Sequence, residues 1–314
     1  MNYLLLTCLL AFSSALQSQS LQGNLPQHAG QEISLTGFEY YKTVDLATTV
    51  ADSLGHFSLD YPKNYTGMAL LNTQDKSSLV LTITTENSYL KGTHLNEIDR
   101  LVFANSPDNT KFAAYAKAQG AYGNALSAWR YLEKLYQKNA LFADQNQVQK
   151  TIQEEQQRIQ QEDADFIAGI DTDSYVRWFI PYRKAVQEMP VIVRKQTERI
   201  PEMLLQFRST NFNQPNFKTS GLFKEFIEGH YLLIENMGQS LDSVYVQMNI
   251  STQHLIDNLQ ENDSLLNSVA NNLINYFQKR SLFSANKYLS VSLLNNTQCT
   301  LSWSLVTKLE RYRK

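Results

Sequence analysis

Apolar and polar positions alternate with a period of two along residues 31–103. Ile33 and Leu35, for example, alternate with polar neighbours, and the same period recurs several times before residue 103. Strict alternation over short runs is typical of half-buried antiparallel strands. About six such runs, separated by turn residues, predict a small antiparallel β-sandwich over residues 21–105.

One turn in this region has a sequence that suggests how it forms. Asp52 precedes Gly55 by three residues, and Phe57 follows. An aspartate side chain accepts hydrogen bonds from backbone N–H groups just after it, and glycine tolerates a positive φ. We therefore expect a tight turn at Asp52, with Phe57 pointing into the core as the next strand begins.

The period becomes helical near Ser106. Ser106 is a suitable cap for a helix whose first residue is Pro107. Further helices are predicted, in order, at residues 144–167, 174–189, 221–234, 240–259, 263–279, 281–295 and 300–313. Pro190 and Pro201 are each predicted to be the first residue of a helix, and Asp263 to be a cap. The fold class is therefore α+β, with a β-sandwich followed by an all-α helical array over residues 106–314.

The first helix carries an apolar stripe with small residues beside it. The stripe consists of Phe112, Tyr115, Tyr122, Leu126, Trp129 and Tyr136. A helix–helix core is favoured over a ligand-stacking surface. Gly120 and Gly123 are expected to let another helix approach closely.

Charge clusters follow in the next two helices. The acidic residues Glu154, Glu155, Glu162 and Asp163 are interpreted as a solvated face, with a cation site as the alternative. The stretch after them is basic, with Arg177, Arg183, Lys184, Arg194, Lys195, Arg199 and Arg208. We expect these cations to pair with the acidic helix, and an anionic partner remains the alternative.

The N-terminus has the pattern of a secretory signal. An apolar run over residues 4–12 precedes Ser13, Ser14 and Ala15. This run is too short to span a bilayer, which takes about 20 residues. We predict a signal peptide over residues 1–20, cleaved after Ala15 or near Ser20, and no later membrane span. A buried N-terminal strand or helix is the alternative.

Composition and charge narrow the function classes. The 314 residues suffice for two domains, and 43% hydrophobic residues support a packed core. The net charge of −2 gives no electrostatic footprint for nucleic acid, so no nucleic-acid partner is expected.

Candidate chemistry is sparse. After removal of the signal, Cys299 would be the one remaining cysteine, and we expect it to be a small buried apolar residue. His94 with Glu97 and Asp99 is interpreted as a solvated loop rather than a metal site, because no second histidine is suitably spaced. No catalytic, cofactor-binding or metal-binding residue is therefore predicted, and no cofactor.

The order of several short segments resembles a known family. These segments are, in order, Asp52-Ser-Leu-Gly-His-Phe57, Leu101-Val-Phe-Ala-Asn-Ser-Pro-Asp-Asn109, Tyr182-Arg-Lys184, Thr197-Glu-Arg-Ile-Pro-Glu202, Ser220-Gly-Leu222, Arg280-Ser-Leu-Phe283 and Leu309-Glu-Arg-Tyr-Arg313. In this order they resemble the N-terminal region of exported bacterial thioredoxin-like proteins. Those are thiol–disulfide oxidoreductases and peroxiredoxin-like proteins that carry an uncharacterised β-domain at the front.

The resemblance implies a location and a role. In such relatives a thioredoxin-fold domain with a Cys-x-x-Cys motif follows, whereas this chain ends at Lys314 without that motif. We expect an exported, non-catalytic accessory or docking module in the periplasm or cell envelope of a Gram-negative bacterium. Its partner would be a thioredoxin-fold domain or an envelope protein.

Two other hypotheses stay open. One is an independent periplasmic binding or structural protein for a peptide, glycan or envelope partner. The other is an enzyme whose site is assembled from residues scattered along the sequence.

Overall fold

A computed structural model describes residues 18–142 and 144–313. Strands occupy the first part of this range and helices the rest, which confirms the predicted α+β fold class. Most of the predicted signal peptide, residues 1–17, lies outside the described residues.

The β-sandwich has two four-stranded sheets. Its strands are β1 (Ser18–Asn24), β2 (Glu32–Glu39), β3 (Lys42–Val50), β4 (His56–Pro62), β5 (Gly67–Thr73), β6 (Ser78–Ile83), β7 (Ser88–Lys91) and β8 (Val102–Ala104). One sheet has the order β4-β1-β7-β8 and the other β3-β2-β5-β6. Strand β1 runs antiparallel to β4 but parallel to β7. This parallel pair departs from the antiparallel prediction, and the long chain between β1 and β7 makes it possible.

Strand β1 was not predicted. Its first residues, 18–20, fall within the predicted signal peptide, yet they pair with Pro62, Tyr61 and Asp60 of β4. The strand contains one large apolar side chain, Leu21, so it has no alternating pattern in the sequence.

The turn at Asp52 forms as predicted. Oδ1 of Asp52 accepts hydrogen bonds from the backbone N–H groups of Leu54 and His56, both across 2.8 Å. Gly55 has a φ of +82°, and Phe57 is buried. Burial then alternates strictly along β4, so the turn sets which face of this strand enters the core.

Helices follow from Pro107 onward. They are α1 (Pro107–Lys138), α2 (Asn146–Ala168), α3 (Tyr175–Lys195), α4 (Ile200–Arg208), α5 (Phe223–Glu235), α6 (Leu241–Leu259), α7 (Asp263–Lys279), α8 (Phe283–Leu294) and α9 (Trp303–Arg313). Helical periodicity predicted most of these bounds to within a few residues. Among residues 18–142 and 144–313, none of the helices combines the length and apolarity needed to cross a bilayer.

Two local predictions about helix ends were wrong. Pro190 lies inside α3, because the buried residues Met189 and Ile192 keep the helix packed although proline lacks an N–H donor. Asn262 rather than Asp263 caps α7, since Oδ1 of Asn262 accepts a hydrogen bond from the backbone of Leu265. Pro201 does lie in the first turn of α4.

The described chain divides into two compact units. The first contains the residues up to Thr36, Asp45–Thr66 and Leu70–Thr110, and the second contains Gly37–Val44, Gly67–Ala69 and the chain from Lys111 onward. Buried side chains of α3 to α9 form the core of the second unit. Tyr40 and Tyr41, at the tip of the β2–β3 hairpin, pack against Phe223 of this core with edge-on rings.

Candidate functional sites: a basic cleft and a histidine–aspartate cluster

A polar cleft lies between α1 and α3 in the helical unit. Its volume is about 470 Å³, within the range of clefts that hold small ligands. Its walls include Gly120, Gly123 and Arg130 of α1, Arg183 and Gln187 of α3, and Arg199 just after α3. We call it the basic cleft.

The two glycines leave the wall of the cleft open. A Cβ added to Gly120 or Gly123 would meet no heavy atom within 4 Å. The expectation that another helix packs closely here was therefore wrong. The small residues border open space instead.

Two cations beside the cleft pair internally, and one of them, Lys184, pairs with the acidic helix as predicted. Nζ of Lys184 donates a hydrogen bond to Oδ2 of Asp163, and Nη2 of Arg199 lies 2.7 Å from Oε2 of Glu188. Asp163 also accepts a hydrogen bond from the hydroxyl of Tyr115 across 3.0 Å. Asp163 is buried, so its assignment to a solvated acidic face was wrong.

Arg183 differs from these paired cations. Its guanidinium lies 5.1 Å from the ring centre of Phe112 and 6.0 Å from that of Phe179. Among the described residues it has no hydrogen bond and no carboxylate partner. Burial lowers the pKa of the Arg183 guanidinium, although an arginine stays charged at any physiological pH. The cleft thus contains a partly desolvated charge held only by aromatic rings.

At the other end of the cleft, two guanidinium groups share one acceptor. Oε1 of Gln196 accepts hydrogen bonds from Nη1 of Arg130, across 3.3 Å, and from Nη1 of Arg199, across 3.1 Å. Burial, and then the nearby charge of Arg199, lower the pKa of Arg130. Arg199 is neutralised by Glu188, and a second carboxylate, Glu202, lies 3.7 Å from it. Arg130 has no carboxylate partner among the described residues, so the positive charge left at this end is that of Arg130.

A second candidate site lies in the β-sandwich unit. His28 ends a 3₁₀ helix, Asp75 lies in the β5–β6 turn, and His94 follows β7. Oδ2 of Asp75 lies 3.1 Å from Nε2 of His94 and 3.7 Å from Nδ1 of His28. His28 is fully buried, and the two imidazole rings are 4.3 Å apart. The spacing of these three groups suits a divalent metal ion.

Hydrogen bonds from the backbone argue against a metal at this cluster. Leu95 donates its N–H to Nε2 of His28 across 3.2 Å, and Asn96 donates its N–H to Nδ1 of His94 across 3.0 Å. An N–H group can only donate, so each acceptor nitrogen carries a lone pair, and the proton of the neutral ring sits on the other nitrogen. The protonated Nε2 of His94 therefore donates to Asp75 across 3.1 Å, and the protonated Nδ1 of His28 donates to Oε1 of Gln31 across 3.2 Å. Neither ring directs a lone pair at Asp75.

The carboxylate of Asp75 is stabilised from its other side as well. Its Oδ1 accepts hydrogen bonds from Oγ1 of Thr73, across 2.6 Å, and from the backbone N–H of Ser77, across 2.9 Å. These bonds hold the pKa of Asp75 well below its usual range. The cluster joins three loops through a charged acceptor, which is a structural role.

Cys299 was expected to be a small buried apolar residue; it is half-buried and packs against the apolar core of the helical unit. Burial, and then the nearby charge of Asp263, raise the pKa of its thiol. Because the thiolate is the reactive form, this environment disfavours nucleophilic chemistry at Cys299.

Sequence patterns did not reveal either candidate site. His28, Asp75 and His94 are far apart in the sequence, and His94 had been interpreted as part of a solvated loop. Arg183 had been grouped with cations that pair internally. Comparison of the chain with protein-family models, curated proteins and solved structures found no match.

Proposed function

We propose that this chain is an exported, non-catalytic accessory or docking module of a thioredoxin-like thiol–disulfide oxidoreductase. The proposal that the chain is non-catalytic rests on the properties of Cys299. Dithiol exchange needs an attacking thiolate and a second thiol within reach. The raised thiol pKa of Cys299 supports the proposal, and the only other cysteine in the sequence is Cys8 of the predicted signal.

An insulin-reduction assay tests this proposal. We expect the purified protein to show no turnover above the uncatalysed rate, and Cys299→Ala to change nothing. Turnover that disappears in Cys299→Ala would identify the chain as a redox enzyme. Reading the gene beyond codon 314 tests the family assignment separately, since a thioredoxin-fold domain with Cys-x-x-Cys is expected there or in a partner protein.

The second candidate function is an independent binding protein of the cell envelope. The basic cleft favours it, because an open polar cleft with unneutralised cations suits a ligand of opposite charge. Binding and docking are compatible, and the two proposals differ in whether the chain works together with a thioredoxin-fold domain.

Export to the periplasm is also proposed, with processing after Ala15. Cleavage there leaves β1 whole, whereas cleavage near Ser20 removes residues that pair with β4. N-terminal sequencing of the cellular protein tests this. We expect Leu16 as the first residue, and retention of residues 1–15 would refute export by this signal.

A further inference from the structure

We propose that the basic cleft binds a short acidic peptide in an extended conformation. This inference goes beyond the proposed function, because it depends only on the cleft and would hold with or without a redox partner. Three properties of the described residues support it: charge, shape and the amide groups of the walls.

Charge identifies the sign of the ligand. Four cations line the cleft, namely Arg130, Arg183, Lys184 and Arg199, against the two carboxylates Asp163 and Glu188. Each carboxylate already pairs with a cation. A net positive charge remains among these groups, and Arg183, which lines the cleft, donates no hydrogen bond within the described residues. Guanidinium groups bind carboxylates in a bidentate geometry, which is stronger than a neutral hydrogen bond.

The length of the cleft indicates the length of the ligand. The part of α1 that lines the cleft runs from Ala116 to Arg130, which corresponds to about 21 Å of helix. Arg183 lies at one end of the cleft, beside Phe112, and Arg130 lies at the other end, beside Gln196. At about 3.3 Å per residue, an extended peptide of about six residues would reach both. Phosphate or a short dicarboxylate would meet only one end.

Amide groups between these ends suit a peptide backbone. Gln119 and Asn124 of α1 and Gln187 of α3 line the cleft. Nε2 of Gln119 donates a hydrogen bond to Oε1 of Gln187 across 2.9 Å, which joins the two walls. Side-chain amides both donate and accept, as peptide groups do. At Gly120 and Gly123 no side chain keeps a ligand away from the backbone of α1.

Fluorescence anisotropy with labelled hexaglutamate and hexaglutamine tests the proposal. We expect the full chain to bind hexaglutamate at least tenfold more tightly than hexaglutamine, with an affinity that falls as salt is added. Arg183→Met should weaken hexaglutamate binding about tenfold or more. The matched control Lys224→Met, which removes an exposed cation of α5 outside the cleft, should leave the affinity unchanged.

A second variant and two competitors complete the test. Gly123→Leu fills the cleft without removing a charge and should also weaken binding tenfold or more, so it decides the matter if Arg183→Met fails to fold. Equal binding of the two peptides, or full affinity in Gly123→Leu, would overturn the proposal. If succinate or phosphate, at an equal concentration of negative charge, displaced hexaglutamate completely, the cleft would be a site for small anions. That result would also overturn the proposal. None of these outcomes bears on the insulin-reduction assay.

Discussion

The backbone N–H of Leu95 donates a hydrogen bond to Nε2 of His28, and this single bond decides which nitrogen of the ring carries its proton. Nδ1 of His28 must then donate, and Oε1 of Gln31 accepts from it across 3.2 Å. His94 repeats the arrangement through Asn96. A geometry that could hold a metal ion is therefore set up for hydrogen bonding, from His28 to Gln31 and from His94 to Asp75.

The first prediction concerns the stability provided by His28. His28→Ala should lower the free energy of unfolding by about 1–3 kcal/mol, because it leaves the buried N–H of Leu95 without an acceptor. His56→Ala is the matched control. His56 is half exposed, and the backbone bonds to Asp52 survive its removal, so its effect should stay within about 0.5 kcal/mol. Urea denaturation of both variants measures this, and equal losses would contradict the structural role of His28.

The second prediction concerns metal binding at the same cluster. Excess Zn²⁺ should not raise the Tm of the protein, since ligation would require both histidines to change tautomer and lose their bonds from Leu95 and Asn96. Thermal unfolding with Zn²⁺ and with a chelator measures this. A zinc-dependent rise in Tm that disappears in His94→Ala would show that the cluster is a metal centre.

The third prediction is a pH dependence at Asp75. The pKa of Asp75 is lower in the folded protein than in the unfolded chain. The ionised carboxylate therefore stabilises the fold at any pH above the ordinary aspartate pKa near 4, and this contribution is lost as the pH falls toward the lowered pKa. Asp75→Asn should therefore be less stable than the wild type at pH 7, and the difference should shrink in acid. The exposed Asp60→Asn serves as control. A difference that grows as the pH falls would contradict this sign.

The fourth prediction is a pH dependence at His230, which is fully buried. Its ring stacks on Phe207 at 3.6 Å, and its Nε2 lies 2.8 Å from the hydroxyl of Ser251. Burial, followed by the charges of Arg208 and His254, lowers the pKa of His230 well below its usual value. The unfolded chain thus takes up a proton that the folded protein does not.

Stability should accordingly fall as the pH drops below about 6.5, by at most about 1.4 kcal/mol per pH unit from this residue. In His230→Phe this contribution should vanish, so the free energy of unfolding should depend less steeply on pH between about pH 7 and 5. Chemical denaturation at several pH values measures both slopes. Parallel pH profiles for the two proteins would show that His230 does not remain neutral in the folded state.

The fifth prediction concerns the glycines of α1. Gly120→Ala and Gly123→Ala should each raise the free energy of unfolding by about 0.5–1 kcal/mol, because alanine favours the helix and meets no neighbour. Gly229→Ala in α5 is the matched control, since its Cβ would run into the sulfur of Met189. Its gain should be smaller or reversed. Destabilisation by the α1 substitutions would mean that another group packs against these glycines.

Periodicity in the sequence revealed most of the secondary structure. The Asp52 turn and most of the helices could be predicted because each depends on residues that are neighbours in the chain. Strand β1 was missed because its own sequence has only a weak pattern, and the strand depends on pairing with β4 and β7, which are distant in the chain. Pro190 was misassigned because burial of Met189 and Ile192 is a tertiary effect.

The sequence alone determined the α+β class, the change from strands to helices, the scarcity of thiols and the near-neutral charge, because these follow from local spacing and composition. Tertiary structure decided which charges stay unpaired and which histidines meet. Asp163 pairs with Lys184 and not with Arg183, and Asp75 reaches both His28 and His94, only because distant segments fold together. Pairing energies depend on distance and burial in three dimensions, which spacing along a chain does not encode.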